Sequence, residues 1–181
     1  VCLLETQLRA ILQVAQMADV RILFPMVVGS DDVARAIETV RRVSDQLGLL
    51  RLPPIGVMLE TPASLYALDE ILELADFAAI GTNDLTQYML AADRDLAEGF
   101  EECTAMHPAV LRAIKQIVEV AERRDCPLCV CGEDAGCPEF ACLLVGLGVE
   151  VFSLSPCRVG GVRHAIRKIN RAQAEIVADA A

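Results

Sequence analysis
The sequence is short of the features that place a chain in a membrane or on a nucleic acid. No window holds about 18 uninterrupted apolar residues, so nothing in it reads as a transmembrane helix. This holds although apolar residues make up 54% of the chain and mean hydropathy is +0.43. Every long apolar run is cut by a charge, a glycine or a proline. Basic residues are outnumbered, 16 against 26 acidic, for a net charge of −10. A phosphate backbone wants a basic surface, so no nucleic-acid partner is expected. The opening stretch "VCLLETQLRAILQ" has no basic n-region and is not a signal peptide. It also lacks an initiator Met and reads as a processed or truncated chain. No glycine-rich loop runs straight into a helix as a phosphate cradle would. There is no linker, low-complexity tract or strict repeat. Eight cysteines are present. They are scattered, several of them inside apolar runs such as "PLCVCG" and "FACLLVG". They read as reduced thiols of a cytoplasmic protein rather than a disulfide framework.

What is present is an alternation. With 181 residues the expectation is one domain, spanning 1–181. Strand-like runs occur at 20–28 ("VRILFPMVV"), 54–60 ("PIGVMLE"), 76–84 ("DFAAIGTND"), 127–136 ("PLCVCGEDAG") and 149–156 ("VEVFSLSP"). Helical spacing is found at 3–17, 30–48, 61–75, 108–125, 138–148 and 159–181, with a turn or short helix at 85–90. Ser30 can cap the second helix and Gly48 can end it. Met26, Met58 and Met89 are expected as core filler, His107 as a loop or cap residue, His164 on a helix surface. Near-continuous apolar strands joined by helices predict an α/β fold with a parallel sheet covered on both faces.

In such sheets the chemistry gathers at the carboxyl ends of the strands. There the sequence places Glu60, Asn83 with Asp84, Glu133 with Asp134, and Ser153 with Ser155. Glu60 and Asp84 end adjacent strands, which lie about 5 Å apart in a sheet. Two carboxylates that close repel unless a cation lies between them or one is protonated. A pair of oxygen donors suits Mg²⁺, which completes its shell with water and phosphate oxygens. The alternative is that each carboxylate caps the helix after it. Arg94 offers a planar fork for a phosphate or carboxylate, or a surface ion pair with Asp93, Asp95 or Glu98. Cys131 can transfer a proton if its pKa is tuned, or is a small core residue. "CPLCVC" is a weak zinc pattern without a second pair at matching spacing.

Taken in order, "GVMLETPAS", "DFAAIGTNDLTQYMLAADR", "HPAVLRAI", "CGEDAG" and "LLVGLGVEVFSLSP" resemble the C-terminal, phosphoenolpyruvate-binding domain of enzyme I of the bacterial phosphotransferase system, the phosphoenolpyruvate–protein phosphotransferase family. The resemblance runs from about Gln7 to Asn170. It implies a parallel (β/α) barrel of TIM type, here the last five of eight β/α units, binding phosphoenolpyruvate and Mg²⁺. It implies that Glu60 and Asp84 hold the metal and that Asn83 and Arg94 hold the phosphate. Cys131 would protonate the enolate of pyruvate once the phosphoryl group has left. It also implies a histidine acceptor on an N-terminal domain absent here, a phosphocarrier partner of the HPr type, and a homodimer. Pyruvate phosphate dikinase and phosphoenolpyruvate synthase share similar blocks and stand as alternatives, as does a non-catalytic scaffold. Either open edge of a five-stranded sheet would favour self-association.

Overall fold
In the computed structural model, which describes residues 3–92 and 104–180, five parallel strands form one sheet in sequential order. They are β1 (Ile22–Phe24), β2 (Ile55–Leu59), β3 (Phe77–Gly81), β4 (Leu128–Cys131) and β5 (Val151–Ser153). Between and around them run α1 (Leu3–Val14), α2 (Ser30–Leu47), α3 (Leu68–Leu74), α4 (Thr82–Met89), α5 (Pro108–Arg123), α6 (Pro138–Gly146), α7 (Pro156–Ile166) and α8 (Arg171–Ala180). This is the expected α/β class. Sequential parallel strands, each followed by helix, are consecutive units of a (β/α) barrel.

Alternation along the strands sorts residues onto two unlike faces. Val57, Leu59, Ile80 and Val130 are completely buried against α3, α5 and α6, where Ile71, Ile114, Ile117 and Leu144 meet them. Each such side chain contributes roughly 1.5–3 kcal/mol of burial. Helix α1 lies outside α2, closing a second cluster of Leu8, Leu12, Val40 and Val43 over Ile22 and Ile55. The other face reads in rows set by the register: Gly56 beside Phe77, then Met58, Ala79, Cys129 and Val151, then Gly81, Cys131 and Ser153. It is open; Val151 is 56% exposed. The sequence predicts cover on both faces, and among the described residues only one is covered by helices.

Several boundaries differ from expectation, each for a local reason. The 61–75 segment is a 3₁₀ turn, Pro62–Tyr66, followed by α3. Thr61 and Ser64 bond each other's backbone and tighten the turn, and Gln116 of α5 takes the Leu65 carbonyl at 2.9 Å. The closing helix is two helices, because Asn170 and Gln173 form a reciprocal cap that starts α8. The cap of α2 is Gly29, not Ser30, with Asp32 accepting from the Val28 and Gly29 amides. Gly48 ends α2 at φ 67, as expected. His107 caps α5 through Nδ1, and His164 is exposed on α7.

Candidate active site
β2 delivers Glu60 one residue past its last paired position, on the open face in line with Met58. The residue is only 2% exposed. A buried carboxylate needs partners, and Glu60 finds one outside its own segment: Oε1 accepts from the Met26 amide at 2.7 Å. Thr61, not Glu60, caps the turn that follows, so simple capping does not account for the buried acid. Room for it comes from β3, since a Cβ on Gly81 would fall 2.4 Å from Glu60 Oε2.

Sequence spacing places Asn83 and Asp84 at a strand end; the structure ends β3 at Gly81 and puts both residues in the first turn of α4. The strand turns into helix with no loop between, which swings Asp84 back over the sheet edge. The Asp84 carboxyl lies close enough to Glu60 for its charge to act on that group. Burial raises the Glu60 pKa above the ordinary carboxylate value; the Met26 amide opposes this and the Asp84 charge adds to it. Asn83 Oδ1 accepts from the Glu133 amide at 3.0 Å, which turns its two amide hydrogens away from that bond.

Cys131 ends β4 on the same face, in the row of Gly81. Its Sγ lies 3.3 Å from the Ile80 carbonyl. Burial pushes the thiol up to about 11, and Cys129 and Glu60 reinforce the shift. At neutral pH the group is a thiol, a proton donor rather than a thiolate nucleophile. Arg94 lies outside the described residues. Glu60, Asn83, Asp84 and Cys131 therefore meet at the carboxyl ends of β2, β3 and β4, while Ser153 stands exposed at the end of the same row.

Sequence reasoning missed the backbone partners. Met26, expected in the core, is 45% exposed and sits at φ 56, a left-handed conformation costly for a non-glycine residue. Its side chain is incidental; its amide holds Glu60. No residue-type signal marks such a role. Among the described residues no group of three or more His, Cys, Asp or Glu side chains is arranged to hold a metal, so "CPLCVC" is no zinc site there. Nor is any described helix long and apolar enough to cross a membrane.

The family model and the curated relatives agree on one family. The model described as PEP-utilising enzyme, PEP-binding domain, matches residues 2–171. A multiphosphoryl transfer protein of Xanthomonas campestris pv. campestris is 42% identical over 91% of this chain and 20% of its own length. A phosphoenolpyruvate-protein phosphotransferase of Haloferax volcanii is 39% identical over 98% of this chain and 33% of its own. The chain thus spans about a third or less of the curated relatives it matches. Among solved structures, a citrate lyase from Burkholderia xenovorans superimposes with a TM-score of 0.67 at 17% identity, covering 89% of this chain and 53% of that one. That likeness concerns the fold alone.

Proposed function
The chain belongs to the PEP-utilising enzyme family, as its PEP-binding domain, and from that premise we propose that the rim of β2, β3 and β4 binds phosphoenolpyruvate for transfer of its phosphoryl group to a histidine elsewhere in the enzyme. The observation that carries the reading is the meeting of the Glu60 and Asp84 carboxyls beside a thiol held protonated.

The donor set fits Mg²⁺. Two carboxyls within reach of each other, one of them buried, repel when both are ionised, and a divalent cation relieves that repulsion. Glu60 and Asp84 are the residues that would hold it, and water and substrate oxygens would complete the shell. When bound, the ion offsets the negative charge of the phosphate. The chain's own side chains supply the rest. Asn83, its carbonyl oxygen occupied by Glu133, offers amide hydrogens to the substrate. Arg94 is assigned to the phosphate. The phosphoryl group leaves the enol oxygen of phosphoenolpyruvate for a histidine nitrogen. The Cys131 S–H then gives its proton to C3 of the enolate, making pyruvate, and the thiolate recovers a proton from solvent. Positioning and charge neutralisation are what phosphoryl transfer needs most.

For the wider setting we propose, from the family resemblance, a cytoplasmic enzyme that passes the group to an HPr-type phosphocarrier, with this domain self-associating as a homodimer. Calorimetry of phosphoenolpyruvate binding with and without Mg²⁺ tests the site. Wild type is expected to bind in an Mg²⁺-dependent way, and Glu60→Gln and Asp84→Asn to lose that dependence. Equal binding by all three proteins would remove the two carboxylates from the site. Hydrogen exchange at the pyruvate methyl, lost in Cys131→Ala and kept in wild type, tests the proton donor separately.

A further inference from the structure
β4 ends on a carbonyl that takes a side-chain donor from the neighbouring strand's end. Cys131 is the last residue of the strand, and the chain then turns through Gly132 at φ 123. A carbonyl left without a donor in a buried place costs about as much as a lost hydrogen bond. Here the donor comes from the neighbouring strand's turn. Thr82, which has no exposed surface, donates through Oγ1 to the Cys131 carbonyl at 3.0 Å. The fit leaves no slack: a Cβ on Gly132 would fall 2.0 Å from that hydroxyl. The glycine is therefore needed twice, for its positive φ and for the space. One residue further along the first turn and two along the second, Asn83 Oδ1 accepts from the Glu133 amide. Two consecutive cross-links thus clasp the turn after β3 to the turn after β4.

We propose that Thr82 is the positioning residue of Cys131. Its hydroxyl holds the carbonyl of the cysteine and so fixes the backbone from which the thiol projects beside the Ile80 carbonyl. Without it, the carbonyl of the strand's last residue loses its side-chain donor, the nearest remaining cross-link is the Asn83–Glu133 bond two residues on, and the strand is followed at once by the most permissive residue type. The catalytic consequence rests on the reading of Cys131 as proton donor. A donor must stay within hydrogen-bond reach of the atom it protonates, and a misplacement of about 1 Å can cost two orders of magnitude in rate. The clasp itself stands on the geometry alone.

Cys129 provides an internal reference. It occupies the same face of the same strand two residues earlier, away from the clasp. The experiment is peptide mapping of iodoacetamide alkylation at one pH on the whole chain, without ligand, read as the ratio of Cys131 to Cys129 modification. Thr82→Val, which keeps the shape and loses the hydroxyl, is expected to raise that ratio roughly five-fold, the equivalent of one buried hydrogen bond. Thr82→Ser, which keeps the hydroxyl, is expected to restore the wild-type ratio. A valine variant with an unchanged ratio overturns the proposal, and so does a serine variant that shifts as far as valine. Should the valine variant not fold, Thr82→Ala is read by the same criteria. A purely structural role would lower stability and expose both thiols together, leaving the ratio unmoved. The donor reading fails by a different measurement: pyruvate methyl exchange that survives in Cys131→Ala refutes that reading while the alkylation ratio still decides the clasp.

Discussion

The two faces of the sheet are built from alternate residues of the same five strands, yet they follow opposite rules. On the covered face the central positions are fully buried and mostly large and branched, as at Val57, Leu59, Ile80 and Val130, with Ala78 the small exception. On the open face small or polar side chains, Gly56, Ala79, Gly81, Cys129, Cys131 and Ser153, stand among a few larger ones, Met58, Phe77 and Val151. The small residues make room for particular neighbours. A Cβ on Gly56 would fall 2.5 Å from the Phe77 ring, and one on Gly81 would fall 2.4 Å from Glu60. The covered face is thus filled to hold the fold together, whereas the open face is emptied so that a few groups, Glu60 above all, sit at chosen places. Stability and chemistry are separated by the two-residue period of a strand.

The largest expected effect breaks the covered face. Ile80→Ala removes a fully buried side chain from the middle of the core and should cost about 2–5 kcal/mol, read from the denaturant midpoint. Val151→Ala, on the open face and 56% exposed, should cost about 0.5 kcal/mol or less. Equal costs would mean that the open face is packed in solution, and the contrast between the faces would fall. Next comes Gly132→Ala. It forces a side chain into a conformation at φ 123 and onto the Thr82 hydroxyl, so a loss of about 1–3 kcal/mol is expected, although no apolar surface is removed.

Gly81→Ala sharpens the comparison from the other side. Gly81 has an ordinary φ of −89, so alanine strains nothing in the backbone; its only fault is to press on Glu60 and Met58. The expected result is a stability loss below that of Ile80→Ala together with weaker Mg²⁺-dependent binding of phosphoenolpyruvate by calorimetry. A loss of stability with intact binding would show that Glu60 is not held where the site needs it. A smaller effect concerns the thiol. With its pKa pushed up to about 11 by burial, Cys131 should alkylate about a hundredfold more slowly at pH 8 than an unshifted thiol. Its rate should still be climbing at pH 9.5, and a plateau near pH 9 would contradict the shift.

Much of this was readable from residue types, and the parts that were not share a cause. Five strands followed from apolar runs separated by helical spacing, their sequential order from the barrel that the resemblance implies, and Glu60 lies on the rim where the end of "PIGVMLE" places it. The end of β3 was misplaced because nothing in "AIGTND" shows that Thr82 turns aside to meet the Cys131 carbonyl 49 residues away. The helix over 61–75 broke where a side chain from α5 takes one of its carbonyls. Met26 escaped notice since its contribution is a backbone amide. In each case a long-range hydrogen bond overrides a local preference. The start of α8 is different: Asn170 and Gln173 stand three apart in "INRAQ", a capping-box spacing that the sequence carries openly.

The smallest effect lies on the covered side, at the start of α2. Asp32 accepts from the Val28 and Gly29 amides and pairs with Arg35. These contacts, the Val28 amide first, hold its carboxyl below the ordinary carboxylate range. A group whose folded pKa is depressed stabilises the fold above its unfolded pKa, and that contribution is lost as pH falls through the folded one. The wild type should therefore be slightly more stable than Asp32→Asn at neutral pH. The gap should shrink as the pH drops below about 4 and close once the carboxyl is protonated in both states. Because Arg35 is largely exposed, salt should trim the gap without abolishing it, since the two amide bonds are not screened. Melting curves of both proteins from pH 7 to pH 2 check this. A difference that persists unchanged at pH 2 would assign the effect to the shape of the cap and not to its charge. The acid sensitivity of this side of the molecule would then have to come from some other carboxylate.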